Sequence, residues 1–346
     1  MATLRSDLII PEVFSPYLSE ATTLSDSFLQ SGVVQPLPEL NLSAERGGDF
    51  VKIPSYTANL TGDFEVLTDS TSLTPSKITA DNQIAPVLHR GRAFSSRDLA
   101  SLAVGGGLDP MAAIAQKMAA YVNNQKQKDL YSCLTGAFGS LNANDSNSAL
   151  FTHCIDSESG DTPTTLSPRH VAKAQSILGD AGSKLTTIAV HSKTYYDLVE
   201  RNAIDRIYDN TGAPDTAAAS GSTARAFDQP SFGSFMGLNV IVSDDIPTAN
   251  SGSSTEYACF LFGQGAIFTG EQSPIRTQTD RDILALEEAM AVDLHYIYHV
   301  GGLKYAVSTV NPNRSTLETV ASWSKVYNTK NIPIVRATVV LSLIHI

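Results

Sequence analysis

The longest helical signal in the chain runs from about Asp109 to Cys133, and it sets the length scale that every other segment must cover. Asp109 suits the N-cap, and Pro110 suits the first helical position, where a missing N–H costs nothing. Met111, Ile114, Met118 and Val122 follow at helical spacing, and Leu130 and Leu134 extend the apolar side. Gly136 is expected to stop the helix. About 25 residues at roughly 1.5 Å each make a rod of roughly 38 Å, a structural spine. Its polar stretch, Asn123 to Asp129, is expected to face solvent or a partner.

The segments on either side differ in kind. Residues 1–48 are broken by Pro11, Pro16, Pro36 and Pro38, with room for a short helix over Ser19 to Leu29. They carry too few apolar residues for a core of their own and read as an arm lying on something else. Residues 49–95 read as β: Val51, Ile53 and Tyr56 start a strand that Pro54 limits, and Lys77 to Asn82 and Ala85 to Phe94 are extended. The expected shape is a long hairpin with little to pack at its tip. After the spine, Gly139 to Thr165 is polar loop. Ser167-Pro168 opens a second helix ending near Gly179, Leu185 to Val190 is a strand, and Ser192 is expected to cap a third helix. Residues 210–231 read as a flexible loop rich in Ala, Ser, Gly and Thr. Strands follow at Leu238–Val242, Cys259–Phe262 and Ala266–Phe268, and a β-like alternation runs through Leu294, Tyr296, Tyr298 and Val300. Helix is possible over Ile283 to Ala291 and expected over Thr316 to Tyr327 around Trp323, with a terminal strand over Ile332 to Val340.

No catalytic set emerges. Asp293, His295 and His299 have the chemistry of metal ligands and share one face of a strand, but a polar strand face is the preferred reading, so no metal and no cofactor is expected. His153, Cys154 and Asp156 resemble a nucleophile with its base, but adjacent strand residues point to opposite faces. Gly105-Gly106-Gly107 before the spine lacks the Lys-Ser/Thr of a phosphate loop, and Asp109 sits where an anion would bind. Cys133, Cys154 and Cys259 match no metal spacing, and an odd count suits no disulfide framework. The formal net charge of −11 argues against a surface built to wrap nucleic acid. No apolar stretch approaches a membrane span, so no membrane partner is expected.

The succession of segments carries a family resemblance that no single motif does. Leu8-Ile9-Ile10-Pro11-Glu12-Val13-Phe14 followed by Phe28 to Val34, then the spine helix, resembles the opening of tailed-bacteriophage major capsid proteins. Ala189 to Leu198, Phe235 to Pro247, and Asn311-Pro312, Trp323 and Lys330 to Pro333 continue the likeness. The resemblance implies an α+β chain with the Hong-Kong-97-type capsid fold. Residues 1–48 would be the N-terminal arm and 49–95 the extended hairpin, or E-loop. Residues 96–140 and 270–310 would form the peripheral domain with the spine helix, and 141–269 with 311–340 the axial domain. It further implies pentamers and hexamers of this chain, a portal, packaged double-stranded DNA in weak non-specific contact, and assembly in a host bacterial cytoplasm into a virion. A long charged helical extension before the arm is lacking, which suggests a separate scaffolding protein. Phe64, Arg90, Arg92, Arg276 and Arg281 are the expected subunit-interface residues. An encapsulin shell shares the fold and stays open as an alternative, which gene neighbours would separate. A metal-dependent hydrolase built on Asp293, His295 and His299 is the rival from another class. Likeness fades near Val340, and Leu341 to Ile346 matches in order the translation of a transposon end used in DNA library preparation, so this tail is expected not to be native and to pack poorly.

Overall fold

The structure, a computed structural model, describes residues 33–38, 40–41, 48–56, 64–66, 73, 80–98, 110–141, 146–155, 164–201, 203–204, 233–251 and 254–341. The expected arm helix over Ser19 to Leu29, the glycine run before the spine, Asp109, Asp156, the loop 210–231 and residues 342–346 lie outside them. The elements in chain order are β1 (Val34–Pro36), β2 (Phe50–Tyr56), β3 (Ala80–Pro86), β4 (Leu88–Arg97), α1 (Pro110–Phe138), β5 (Cys154–Ile155), α2 (Pro168–Leu178), β6 (Leu185–Val190) and α3 (Ser192–Glu200). They continue with β7 (Ser234–Phe235), β8 (Leu238–Val242), β9 (Thr248–Ser251), β10 (Ser254–Gly263), β11 (Ile267–Asp282), β12 (Glu287–Val300), β13 (Leu303–Tyr305), α4 (Arg314–Leu317), β14 (Trp323–Lys325) and β15 (Ile334–Val340).

Two sheets organise the chain. One has the order β1-β11-β12-β4; β4 flanks β12 from Tyr296 up to Glu287, so only the turn at 283–286 extends past the paired strands. The other has the order β5-β15-β10-β6-β8-β7, with β9 also paired to β10. Strand β10 shows how one sequence serves two cores. Side chains alternate across a strand, so Ala258, Phe260 and Phe262 join the core under α1. Tyr257, Cys259 and Leu261 join a second core with Val171, Ala174 and Leu178 of α2 and Leu198 of α3. A strand covered on both faces reads as a continuous apolar run.

The spine α1 has 29 residues, about 44 Å. It runs past Gly136, contrary to the expected stop there. Gly139, at φ +82°, ends it instead, donating its N–H to Thr135 O at 2.8 Å. Gly136 serves close approach: a Cβ there would lie 1.9 Å from Leu317 O. The polar stretch of α1 also departs from expectation. Asn124, Gln127 and Asp129 are buried.

Other departures have local causes. The hairpin proper is β2–β3. Strand β4 leaves it at Val87 and pairs with β12. Pro54 sits within β2, which tolerates it because, among the described residues, β2 has a single pairing partner. Residues 283–286 are a turn, and Thr316 to Tyr327 breaks into one turn of helix, a 3-10 turn and β14, because Trp323 folds back to donate Nε1–H to Leu317 O at 2.8 Å. His191, not Ser192, caps α3 through Nδ1, which accepts from Lys193 N at 3.2 Å. Within the expected polar loop after the spine, Leu150 and His153 are buried. Leu341 packs at the edge of the second core, against the expectation for the tail's first residue.

Two buried histidines are held neutral. His153 donates from Nδ1 to Ile334 O at 2.7 Å, and His299 donates from Nε2 to Gln83 Oε1 at 2.8 Å. Among the described residues the second nitrogen of each ring has no partner, so protonation would bury an unmet N–H. Burial lowers both pKa values to about 4. Between about pH 6.5 and 4 the unfolded chain therefore binds more protons than the folded one, and stability falls with pH. Unfolding in urea at pH 7 and pH 5 should show a loss of about 1–2 kcal/mol per histidine. The double variant His153→Asn, His299→Gln keeps both donors, and it should flatten the pH slope. An unchanged slope would refute the assignment.

Candidate functional site

Two turns of the chain, one between β2 and β3 and one joining β11 to β12, carry exposed apolar residues. The chain between β2 and β3 presents Phe64, Val66 and Leu73, all exposed. The tip of β11–β12 presents Ile283 (77% exposed), Leu284 (98%) and Leu286. The second tip is a built turn: Asp282 Oδ1 accepts from Leu284 N at 2.9 Å and Ala285 N at 3.2 Å. Leu286 is held at φ +48°, uncommon for a residue with a side chain. Clustered exposed apolar side chains at an ordered tip mark an interaction surface.

The strands beside both turns are fixed by buried polar groups. The buried carboxylate of Asp129, in mid-spine, accepts from Arg314 Nε, from Arg90 Nε at 3.1 Å and from Tyr296 OH. These donors come from α4, β4 and β12, so one side chain ties the spine to three elements. Arg90 also donates to Asn311 Oδ1 at 2.7 Å and Pro312 O at 2.6 Å, and Arg314 donates to Gln125 Oε1 at 2.8 Å. Burial, and then the Asp129 charge, push the Tyr296 phenol well above its usual range, so it remains a donor. At the hairpin base, Gln83 receives Gly302 N–H at 2.9 Å and gives an N–H to Tyr327 OH at 2.7 Å. One turn earlier in the spine, Asn124 and Gln127 donate to Asp245 Oδ2 at 2.8 and 3.1 Å, joining α1 to the chain after β8.

The expected interface residues divide. Phe64 stands fully exposed, and Arg92 is exposed with its guanidinium 5.8 Å from the centre of the Phe94 ring. Arg276 and Arg281 lie exposed on β11, with Arg281 paired to Asp98 at 2.5 Å. Arg90, partly exposed, is bonded within the subunit to Asp129, Asn311 and Pro312. Sequence reasoning missed Asp129. The signal was present: Asp129 lies seven residues after Val122 and four before Cys133, on the apolar stripe, where an acid must find partners.

The expected metal-type trio is also rearranged. Asp293 and His295 do share a face, but His299 lies about 20 Å along the strand from Asp293 and is buried against Gln83. His89, from β4, takes the third place beside Asp293 and His295. The His153 and Cys154 pair is not a nucleophile and base: Cys154 Sγ faces Leu150 O at 3.6 Å, and the His153 ring is spent on Ile334 O. Burial raises the thiols of Cys133 and Cys259 far above neutral pH, which leaves them inert.

A spine helix over a long hairpin sheet, a second two-faced sheet beside it, and anchored turns with exposed apolar residues define a viral shell subunit of the Hong-Kong-97 type. Solved capsids share the fold: that of Ralstonia phage GP4 superposes with TM-score 0.61 at 10% identity, covering 96% of both chains. The cyanophage Pam1 capsid gives 0.59 at 16%, covering 99% of both. The major capsid protein of Bacillus phage SPP1 is 33% identical over 341 residues, covering 96% of this chain and 97% of that one. The Gp13-like family, described as major capsid protein 13-like, matches residues 109–333. The chain belongs to this family of tailed-bacteriophage major capsid proteins.

Proposed function

We propose that the chain builds an icosahedral phage head from pentamers and hexamers, enclosing double-stranded DNA. The role is structural rather than catalytic. The observation that carries this reading is the pair of turns with exposed apolar residues, each anchored by buried polar groups, because such residues gain burial only against another subunit. A separate scaffolding protein, a portal and assembly in the host cytoplasm belong to the same reading. The net charge of −11 supports contact with the packaged DNA that is weak and independent of sequence.

The test is to express the protein with its scaffold and look for closed shells by sedimentation and negative-stain microscopy. Only monomers under all salt conditions would overturn the proposal. The double variant Ile283→Asp, Leu284→Asp should fold with an unchanged urea midpoint, because both side chains are solvated in the subunit. It should nonetheless fail to form stable shells, since a charge buried at an interface without a partner is costly. Normal shells from this variant would remove the β11–β12 tip from the assembly surface.

A further inference from the structure

We propose that His89, Asp293 and His295 form a binding site for a divalent transition-metal ion of the zinc class, clamping β4 to β12. The proposal concerns the folded subunit and does not depend on shell assembly. The antiparallel register sets His89 directly opposite His295, and it sets Asp293 two residues along on the same face, opposite Gly91. Directly opposite residues bring their side chains close, and positions two apart share a face. The outcome is tight. His89 Nε2 lies 2.6 Å from Asp293 Oδ1, and His295 Nε2 lies 3.8 Å from Asp293 Oδ2. The two imidazoles stack with centroids 3.9 Å apart at 22°. One ligand atom from each residue falls within 4.8 Å of the other two. For metal bonds of about 2.0–2.2 Å, neighbouring tetrahedral ligand atoms sit about 3.3 Å apart, so the observed separations bracket the need.

The surroundings leave the site accessible and its backbone fixed. The side chains are 52%, 40% and 27% exposed for His89, Asp293 and His295, so an ion can enter and keep water in its open positions. Gly91 places no side chain over Asp293. The course of β4 is set by His89 N–H donating to Asn311 Oδ1 at 3.0 Å. Arg90 points to the other face, toward Asp129, and Arg276, the partner of Asp293 on β11, is the nearby cation the ion must coexist with. Two imidazoles and one carboxylate select zinc, cobalt, nickel or copper over magnesium or calcium, which prefer oxygen. An ion here links the strand leaving the E-loop to the strand leaving the second turn, so it would stiffen the base of both.

The experiment uses the full chain carrying no added histidine tag, stripped with EDTA. Cobalt(II) is titrated by optical absorption and zinc by calorimetry, with thermal unfolding followed in parallel. The expected result is one ion per chain, a d–d absorption band typical of nitrogen and oxygen ligands, and a raised unfolding temperature. His89→Ala or His295→Ala should weaken binding by roughly tenfold or more. If either alanine variant fails to fold, His89→Gln and His295→Gln keep the volume and test the same loss. Equal binding by the wild type and by the double variant His89→Ala, His295→Ala would show adventitious surface binding. Either that result or no saturable binding by the wild type would overturn the proposal.

Discussion

Replacing Asp129 with alanine is expected to destabilise the subunit by about 3–5 kcal/mol and to abolish shell formation. The carboxylate is buried, and it receives Arg90, Arg314 and Tyr296 together. Removing it leaves the Tyr296 hydroxyl in the interior with no acceptor, and it leaves two guanidinium groups facing each other without the intervening anion. Both arginines keep other acceptors and part of their solvent, which holds the loss toward the lower figure. The consequence reaches beyond stability, because the same carboxylate fixes β4 and β12, which lead to the two turns. Asp129→Asn keeps one acceptor and the volume, so it should recover part of the loss. Urea unfolding of the isolated subunit, with microscopy of assembly reactions, measures both effects. A loss below about 1 kcal/mol would show that the network contributes little beyond what water would offer.

Gly136→Ala should destabilise by about 3 kcal/mol, although the same change inside an ordinary helix stabilises by about 1 kcal/mol. The added Cβ would meet Leu317 O at 1.9 Å and Trp323 Nε1 at 2.5 Å. Neither neighbour is the end of a flexible chain: one is backbone, and the other is a ring held by its own hydrogen bond to that same carbonyl. The spine would have to move off α4, or the Trp323 bond would have to break. Trp323 is the only tryptophan in the chain. Its fluorescence should shift to the red in the variant as the buried indole gains access to water. A stabilised variant with unshifted emission would show that the contact relaxes freely.

Much of the architecture was legible because its causes are local. The spine declared itself through Pro110 and an apolar repeat, α2 through Ser167-Pro168, and β6, β8 and β15 through short apolar runs between breakers. The bare tip at Phe64 was legible for a negative reason, the lack of neighbouring core residues in sequence.

What the sequence determined by itself is therefore periodicity and much of the element order, both of which depend on residues within a turn or two of one another. What only the tertiary structure decided is pairing. Asp129 reads as solvated helix until Arg90, 39 positions before it, and Arg314, 185 positions after it, arrive from other elements. Gly136 reads as a stop until Leu317 and Trp323 press against it. His299 reads as part of a polar strand face until Gln83 claims it in the interior, and His89 joins Asp293 and His295 only because β4 leaves its hairpin for β12. A side chain's local pattern fixes the face it occupies, but the energy of a buried charge, a missing Cβ or a ligand set depends on what the opposite face supplies, and that partner lies far away in the chain.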